Sequence, residues 1–471
     1  MTDKLVLGII LLGVILFSLP NLNTWPRLWI DEAKTLELAR NFLNFGKLNI
    51  QIAPGEFTDF PEILQTTGYP ATIPLVLFFK IFGYGLTQAR IYMLIWMAAA
   101  LSMVFLLGRK LMGGSSALFS VLLIATFASF HDSGRTVVGE IPGFVFLLIG
   151  FYAWLARSSY FGAGFWLGLA VVTKPSIFTW IIPVIALVLI LEKTEFFKKL
   201  LSVAGGMLPA AFAWIVLALD EPFSKSYWLN ILNFYRNPYD SVSAWGNILQ
   251  NLRNIPHSTT LIYFGLLFGI VVLGRYLIRE NRLKSLYNFA IIYSLFAFAY
   301  YLRSPGWLRY ILISELLILF LLPNATSIAV ERFKNLLSTL RISASQLVFG
   351  LLIILVMAQI VQLSTSADIF YSDSAISASE LLNKEFPDKS IGVLNSLSLS
   401  VLLKTDKRSQ LVEMSGFPPI GKNPLFSDSL PEVMVWESGE ELSSESQAVL
   451  SGNYELYSQS GGYLIYTKNS Y

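Results

Sequence analysis

Two adjacent carboxylates, Asp31 and Glu32, come shortly after an apolar run that resembles the first span of a membrane protein. Charged residues are scarce in this chain, at 14% against 54% hydrophobic residues. A carboxylate at the edge of a membrane can act as a general base, because it can accept a proton from a bound hydroxyl group. The pair can also serve the following helix, with Asp31 as its N-cap and Glu32 in its first turn. The two interpretations are compatible, and both stay open at this point.

Further charged residues lie in or beside apolar stretches, where burying each charge costs about 2.5 kcal/mol or more. They are Arg90, Arg135, Glu140, Lys174, Arg309 and Glu315. For Arg90 and Arg309 the alternative to a functional role is that a long cationic side chain extends to the membrane interface. Lys174 and Glu140 have apolar sequence on both sides, and their alternative is a structural ion pair with each other.

The apolar segments that surround these residues predict an all-α polytopic membrane protein with about 11 transmembrane helices. The segments are 5–20, 87–108, 115–130, 137–156, 161–174, 176–191, 200–219, 258–278, 286–302, 308–323 and 345–363. The first could instead be a cleaved signal peptide, although it lacks a small-residue cleavage site. Each predicted inner loop carries a cation when the N-terminus lies inside the membrane, as the positive-inside rule requires.

Three large segments then lie outside the membrane: a first loop at about 21–86, an aromatic-rich loop at about 220–257, and the tail from 364. Two short turns, near His131 and at "RSPGW", also lie outside. In the first loop, "DEAKTLELARNFLNFG" has the apolar spacing of an interfacial helix, with Lys34, Glu37, Asn41 and Asn44 as its polar stripe. "YPATIPLVLFFKIFGYG" suits a second interfacial helix. The polar tail predicts a small C-terminal extracytoplasmic α/β domain, so we divide the chain into a transmembrane domain, 1–363, and a C-terminal domain, 364–471.

In this topology the charged residues converge on the outer side of the membrane. Cations can bind a phosphate group, and carboxylates at the same depth can act as an acid–base centre beside it. The chain has no Cys and only two His, which rules out a disulfide framework and argues against a His-based zinc site. No phosphate-binding glycine loop is visible, so a nucleotide is not expected, and neither is a nucleic-acid partner.

Five motifs occur in an order that resembles the GT-C superfamily of polytopic glycosyltransferases, in the branch of protein O-mannosyltransferases and lipid A aminoarabinose transferases. They are "WIDEA" with "LARNFLNFGKL", "TTGYPATIPLVLFFKIFGYGLTQAR", "GRTVVGEIPGFVFLLIGFY", "GLAVVTKPS" and "WLRYILISELLILFLLP". The resemblance covers roughly residues 1–325. The tail matches no catalytic motif, and many relatives are longer than this chain.

The resemblance implies a membrane glycosyltransferase that moves a sugar from a polyprenyl-phosphate-linked donor to an acceptor on the extracytoplasmic face, usually with inversion. It implies that Asp31 is the general base and that Glu140 is the second acidic position of the site. The expected catalytic residues are Asp31, Glu32 and Glu140. The expected donor phosphate-binding residues are Arg90, Lys174, Arg135 and Arg309. We also expect Tyr69, His131 and Asp132, which fall in external segments, to line the substrate.

No cofactor is required by this chemistry, because the donor already carries a good leaving group. If a divalent cation is bound, Mg²⁺ or Mn²⁺, its oxygen ligands would be Asp31 and Glu32. The expected partners are the lipid bilayer, the polyprenyl-phosphate-linked donor, and a protein, glycan or lipid acceptor. The expected location is the cytoplasmic membrane of a prokaryote.

Two other functions fit parts of the same pattern. A transporter or lipid flippase would also place charges at membrane depth, but it predicts internal repeats and sites at the midplane. An anchored binding protein would act through its external tail, with the first-loop charges as helix caps only. The charges cluster at the outer ends of the spans and no repeat is visible, which favours the glycosyltransferase.

Overall fold

The structure is a computed structural model of the chain. It describes residues 2–58, 67–193, 195–219, 221–236, 244–332, 343–369, 371–414, 417–439 and 441–469. Parts of the predicted external loops 21–86 and 220–257 therefore lie outside the described residues.

Helices dominate the first 369 residues. They are α1 (Thr2–Ser18), α2 (Ile30–Phe45), α3 (Tyr69–Phe82), α4 (Leu86–Met112), α5 (Gly114–Ala125), α6 (Ala128–Arg135), α7 (Glu140–Phe151), α8 (Tyr160–Thr173), α9 (Pro175–Phe178), α10 (Ile181–Glu192), α11 (Phe196–Ala218), α12 (Lys225–Arg236), α13 (Ala244–Asn254), α14 (Thr259–Leu277), α15 (Asn281–Arg303), α16 (Leu312–Arg332) and α17 (Ala344–Ile369). A π-helical turn, Tyr152–Ala156, extends α7, and a 3-10 turn, Leu308–Ile311, leads into α16.

The prediction of a polytopic helical membrane protein is confirmed, and each predicted apolar segment falls on one or two of these helices. Among the described residues, seven helical segments are long and apolar enough to cross a membrane. An eighth crossing results if α5 and α6, whose axes differ by 67°, form one broken span. This number of spans is smaller than the predicted 11 because several predicted spans, such as those of α7 and α8, form helices of fewer than 18 residues.

The bundle has a central helix and a lipid-facing periphery. In the segment Leu308–Arg332, which contains α16, 83% of the most apolar window is buried, against 17% for α11 and 22% for α17. A charged side chain on the central helix is therefore enclosed by protein, whereas apolar side chains of α11 and α17 are exposed where a bilayer would cover them. Glu315 lies near the start of α16, so its charged side chain is enclosed by protein.

The tail forms the predicted small α/β domain. Its helices are α18 (Ser374–Glu385), α19 (Leu397–Ser400) and α20 (Ser444–Asn453). Its strands are β3 (Ile391–Leu394), β4 (Arg408–Met414), β5 (Phe417–Gly421), β6 (Val433–Glu437), β7 (Tyr454–Ser460) and β8 (Tyr463–Lys468), after a small hairpin of β1 (Gln51–Ala53) and β2 (Glu56–Phe57) in the first loop. The sheet order is β5-β4-β3-β6-β8-β7, with β3 parallel to β4 and β6 and the remaining pairs antiparallel.

Helix α2, predicted to rest on the membrane surface with a polar stripe in water, is instead buried along most of its length. Every residue from 31 to 41 is buried, which includes Lys34, Glu37 and Asn41 of that stripe. Only the last turn of the helix, with Asn44, is exposed. The reason is that the C-terminal domain covers the polar face of α2, so this face contacts protein rather than water.

The contact between α2 and the C-terminal domain combines a buried ion pair with backbone hydrogen bonds. Arg408 on β4 donates from Nη2 to both carboxylate oxygens of Glu37, at 2.5 and 2.7 Å. Further hydrogen bonds join the first loop to the C-terminal domain, among them those from Arg40 to the carbonyl of Leu403 (2.8 Å), from Tyr84 to the carbonyl of Val401 (2.8 Å) and from Gln410 to the carbonyl of Gln51 (2.5 Å). Apolar side chains of both parts share one core around these bonds.

We expect Arg408→Met to loosen this contact, because it leaves the Glu37 carboxylate buried without its cation. Removing one partner of a buried pair typically destabilises by about 3 kcal/mol or more. Faster limited proteolysis of the C-terminal domain and a lower midpoint of thermal unfolding are the expected readouts. The double variant Glu37→Gln/Arg408→Met should recover much of the lost stability. An equally low unfolding midpoint in the single and double variants would contradict a stabilising role of the Glu37–Arg408 ion pair.

Candidate active site

Asp31 lies in the first turn of α2, but it does not cap the helix. The N-cap position is Trp29, and no side chain provides a capping hydrogen bond there. The interpretation of Asp31 as an N-cap is therefore wrong, although Asp31 and Glu32 do both lie in the first turn, where the helix dipole favours negative charge.

The Asp31 carboxylate contacts two cations that come from distant parts of the chain. Arg309 donates a hydrogen bond from Nη1 to Oδ2, and the Nζ of Lys174 lies 3.7 Å from the same oxygen. Burial alone would raise the pKa of Asp31, but Arg309, Lys174 and Lys34 together hold that pKa below its ordinary value. Asp31 is therefore ionised at neutral pH, and its charge is balanced by cations that a bound anion could also engage.

Lys174 occupies a break between α8 and α9, where its backbone leaves the helical conformation (φ −146°, ψ 80°). Its Nζ lies 3.8 Å from Glu140 Oε1, so Lys174 bridges Asp31 and Glu140. Two glycines let other segments approach this break closely. A Cβ at Gly68 would lie 1.8 Å from the carbonyl oxygen of Val172, and a Cβ at Gly139 would lie 2.6 Å from the carbonyl oxygen of Thr173 and 3.1 Å from the Cβ of Lys174.

Glu32 and Arg90 form a second, fully enclosed pair. Arg90 donates from Nε and Nη2 to the two oxygens of Glu32, at 2.9 and 2.6 Å, and from Nη1 to the carbonyl of Leu22 at 2.6 Å. Glu32 also accepts a hydrogen bond from the backbone N–H of Val137 at 3.1 Å. Both side chains are 0% exposed. These bonds join α2, α4 and the segment before α7, so the geometry favours a structural role for Arg90 and Glu32.

A cavity of about 460 Å³ opens beside the Asp31–Arg309 pair. Its wall includes Arg309, Glu140, Asp132 and Glu315. The guanidinium of Arg309 is held above the ring of Trp29, 4.7 Å from the ring centroid, which fixes one face of the cation. The site thus presents a cation, backed by aromatic surface, to a space large enough for a small ligand.

Three carboxylates on the cavity wall have an oxygen that lacks a hydrogen-bond partner among the described residues. The atoms are Asp132 Oδ1, Glu140 Oε2 and Glu315 Oε1. An unpaired buried carboxylate oxygen is energetically costly, so these atoms are positioned to accept hydrogen bonds from a bound molecule.

Three other residues predicted for the site do not line this cavity. Arg135 is fully buried, donates to the carbonyl of Pro20 at 2.9 Å and lies above the ring of Trp25 at 4.2 Å. His131 is also buried, with Nε2 2.8 Å from the carbonyl of Ala125. The hydroxyl of Tyr69 lies 3.4 Å from the carbonyl of Ala210, against α11. These contacts connect neighbouring elements.

Sequence reasoning missed several residues of the cavity wall. They are Arg27, Trp29, Thr260, Gln362 and Ser366. Arg27 is an exposed cation three residues before α2, a signal the sequence did contain. The polar residues of α14 and α17 gave a weaker signal, because Thr, Gln and Ser are common near helix ends.

The geometry does not fit a divalent cation between Asp31 and Glu32. Asp31 contacts Arg309 and Lys174, and both oxygens of Glu32 accept hydrogen bonds from Arg90. A metal ion would have to displace these cations. Within the described ranges, no group of three or more His, Asp or Glu side chains is arranged to hold a metal.

A family model for dolichyl-phosphate-mannose-protein mannosyltransferases matches residues 73–218. This segment contains Arg90, Glu140 and Lys174. No curated protein sequence matches the chain.

Solved structures resemble the chain over almost its full length. The crystal structure of ArnT from Cupriavidus metallidurans bound to undecaprenyl phosphate is 13% identical, with a TM-score of 0.61, and the match covers 99% of this chain and 98% of that one. The archaeal oligosaccharyltransferase AglB from Archaeoglobus fulgidus, in complex with an inhibitory peptide and a dolichol-phosphate, is 13% identical, with a TM-score of 0.56 and coverage of 100% and 74%. The crystal structure of the Archaeoglobus fulgidus oligosaccharyltransferase in the apo form is 14% identical, with a TM-score of 0.55, and the match covers 87% of this chain and 64% of that one.

Proposed function

Because this multi-pass membrane protein has the fold of the GT-C glycosyltransferases, we propose that it transfers a sugar from a polyprenyl-phosphate-linked donor to an acceptor hydroxyl. The observation that carries the proposal is the contact of Asp31 with Arg309 and Lys174 beside the cavity. It combines a carboxylate with two cations, which are the groups that acid–base chemistry next to a phosphate requires. The named molecules in the similar structures, undecaprenyl phosphate and a dolichol-phosphate, support the same donor class.

In this proposal the donor phosphate binds to Arg309 and Lys174. Arg309 is the more accessible of the two, with a side chain that is 23% exposed against 4% for Lys174. The phosphate competes with Asp31 for both cations. As it draws them away from the carboxylate, their field on Asp31 weakens and the pKa of Asp31 rises toward its ordinary value. Donor binding thereby makes Asp31 a better base at the moment when a base is required.

The reaction then follows as one displacement. The acceptor oxygen forms a bond to the anomeric carbon while its proton passes to Asp31. The bond between the anomeric carbon and the phosphate oxygen breaks on the opposite side, and its electron pair remains on the polyprenyl phosphate. The stereochemistry inverts, and Arg309 and Lys174 stabilise the charge that develops on the leaving phosphate.

The three wall carboxylates fit a hydroxylated substrate. Asp132, Glu140 and Glu315 each offer an oxygen for which the described residues provide no donor. Hydroxyl groups of a sugar can donate to such oxygens, whereas an apolar ligand would leave them unpaired. We therefore assign sugar recognition to these three residues, and positioning of the Asp31 turn to Glu32 and Arg90.

We place the reaction on the extracytoplasmic face of a prokaryotic cytoplasmic membrane, with the N-terminus inside. The support is the distribution of Lys and Arg in the loops between the spans, which follows the positive-inside rule for that orientation. A protein, a glycan and a lipid all remain open as the acceptor. A cysteine-accessibility assay on the Cys-free chain, with single Cys residues at exposed loop positions, tests the orientation.

The function is tested with purified protein in lipid nanodiscs and polyprenyl-phosphate-linked sugars as candidate donors. Release of polyprenyl phosphate that depends on an acceptor would support the proposal. Movement of the labelled donor between leaflets of proteoliposomes, with no change in its covalent structure, would instead identify a flippase and contradict it.

We expect Lys174→Gln to weaken donor use about 100-fold in kcat/KM, because it removes one fixed cation from the leaving phosphate. Direct titration with polyprenyl phosphate should show weaker binding as well. Lys80→Gln is the matched control, since Lys80 is an exposed cation on α3. Unchanged affinity of Lys174→Gln for polyprenyl phosphate would remove Lys174 from the donor site.

A further inference from the structure

A second polar cavity, of about 450 Å³, lies among the helices at the end of the bundle opposite Asp31. Two helices reach from one cavity to the other. Thr260 on α14 lines the first cavity and Arg275 on the same helix lines the second, 15 residues or about 22 Å away along the axis. Likewise, Glu140 at the start of α7 lines the first cavity, and Trp154 in the π-helical extension of α7 lines the second. The second cavity is therefore separate from the proposed active site.

Positive charge dominates the wall of this cavity. Four cations line it, namely Lys199, Arg275, Arg282 and Lys284, against one carboxylate, Glu192. That carboxylate is already engaged, because Glu192 accepts from Lys199 Nζ at 2.9 Å and from the Ser285 hydroxyl at 2.6 Å. The wall thus carries an excess of three positive charges on side chains from α11, α14 and α15 that face one space.

Two helices also begin at the cavity. Tyr160 is the first residue of α8 and Asn281 is the first residue of α15, and both line the wall. Ser159 already caps the backbone N–H of Gly162 at the start of α8, but the positive end of each helix dipole still favours an anion there. This contribution is independent of the side-chain charges and has the same sign.

The cavity opens beside lipid-facing surface. Leu191 is part of its wall and is 57% exposed, and Tyr276, next to the lining residue Arg275, is 81% exposed. In a membrane these apolar side chains would contact acyl chains, so a lipid can bring its headgroup to the cations without leaving the bilayer.

We propose that this cavity binds the phosphate group of an anionic ligand, supplied by the headgroup of a membrane phospholipid. Arg282 and Lys284 on the first turns of α15, with Arg275 on α14, form the phosphate-facing cations. The two helix N-termini add backbone donors. Nothing in the proposed sugar transfer uses this site, so ligand binding here is independent of the chemistry at Asp31.

The proposal is tested with purified full-length protein by native mass spectrometry and by a fluorescence titration with phosphatidylglycerol in phosphatidylcholine nanodiscs. The double variant Arg282→Gln/Lys284→Gln should bind phosphatidylglycerol about 30-fold more weakly, at a factor of about five for each cation removed. The matched control is Lys198→Gln/Arg279→Gln, which removes two exposed cations near the same helix ends that do not line the cavity. The control should bind within about twofold of the parent protein.

A second arm uses inorganic phosphate and glycerol phosphate with the protein in a neutral detergent. Binding of these soluble anions at lower concentration than phosphatidylglycerol, with loss in the cavity variant only, would support the phosphate site and overturn the lipid as its source. Equal weakening in the cavity and control variants would overturn the site itself, since it would indicate general attraction to a basic surface. Unchanged lipid binding in a correctly folded cavity variant would overturn it too.

Discussion

Asp31→Asn is expected to lower kcat for sugar transfer by about a thousandfold, within the range typical of removing a general base. The amide has nearly the same shape as the carboxylate but cannot accept the proton of the acceptor hydroxyl. Binding of polyprenyl phosphate should persist or strengthen, because Arg309 and Lys174 lose the carboxylate that competes for them. Single-turnover transfer and a separate binding titration measure the two effects.

The matched control for this variant is Asp428→Asn, which changes an exposed carboxylate of the C-terminal domain. Because the cations hold the pKa of Asp31 below its ordinary value of 3.8, Asp31 stays deprotonated when the pH is lowered from 7 to 5. Asp31 should therefore contribute no acidic limb to kcat/KM in that range, since kcat/KM reports groups of the free enzyme. Full activity of Asp31→Asn in a folded protein would end its assignment as the base.

Arg90→Met is expected to destabilise the fold by up to about 5 kcal/mol, the upper end for breaking a buried ion pair. The substitution strands the Glu32 carboxylate in a fully buried position and removes the bond that Arg90 makes to the carbonyl of Leu22. Thermal unfolding in detergent, at fixed lipid content, measures the loss. The single variant should also lose transfer activity, because the turn that carries Asp31 loses its support.

The double variant Arg90→Met/Glu32→Met separates this effect from a role in donor binding. Replacing both members of a buried pair by apolar groups is often neutral, so most of the stability should return. Polyprenyl phosphate should then bind the double variant with nearly the affinity of the parent protein. A stable double variant that no longer binds polyprenyl phosphate would restore Arg90 to the donor site. Arg253→Met, at an exposed cation, is the control.

The sequence predicted which charged residues lie at the same depth and offered a pair of Lys174 with Glu140, which the structure contains at 3.8 Å, but it did not predict the partners of Arg90 and Arg309. The insertion cost of a charge singled out Arg90, Lys174 and Arg309 without indicating which carboxylate each of them meets. Their partners depend on tertiary contacts: Arg90 meets Glu32, whereas Arg309 and Lys174 meet its neighbour Asp31. Adjacent residues on a helix point in directions about 100° apart, so one carboxylate faces the cavity side and the other faces the protein interior.

The sequence of strand β4 lacks the usual signal of a strand, and the structure gives the physical reason. The face of β4 that meets α2 carries Arg408, Gln410 and Val412, and two of these three are polar. Inward-facing strand positions are ordinarily apolar, and this alternation is the main sequence signal of a strand. The signal disappears here because β4 packs against a helix face that is itself polar. Strands β3, β6 and β8, in contrast, keep buried apolar positions, which are the ordinary sequence signal of a strand.

The resemblance to the GT-C superfamily is confirmed by the fold and by the family model over residues 73–218. It rested on motif order rather than on identity, which is 13–14% against the solved structures. Such motifs hold the groups that the site geometry requires, and the apolar residues between them can change freely as long as they remain membrane-compatible. The wall of the cavity beside Arg309 also includes Gln362 and Ser366, which come from a helix beyond the last motif.

Helix α2 carries Asp31 in its first turn and, six residues later, Glu37, which pairs with Arg408 of the C-terminal domain. Over this distance of about 9 Å a helix behaves as a stiff rod, so the two ends cannot move separately. A chain shortened after α17 would keep each charged group of the site and yet lose the Glu37–Arg408 contact at the other end of the helix that carries Asp31, the proposed base. We therefore expect removal of the C-terminal domain to lower the proposed transfer activity, although the deleted residues include none of the charged groups around Asp31.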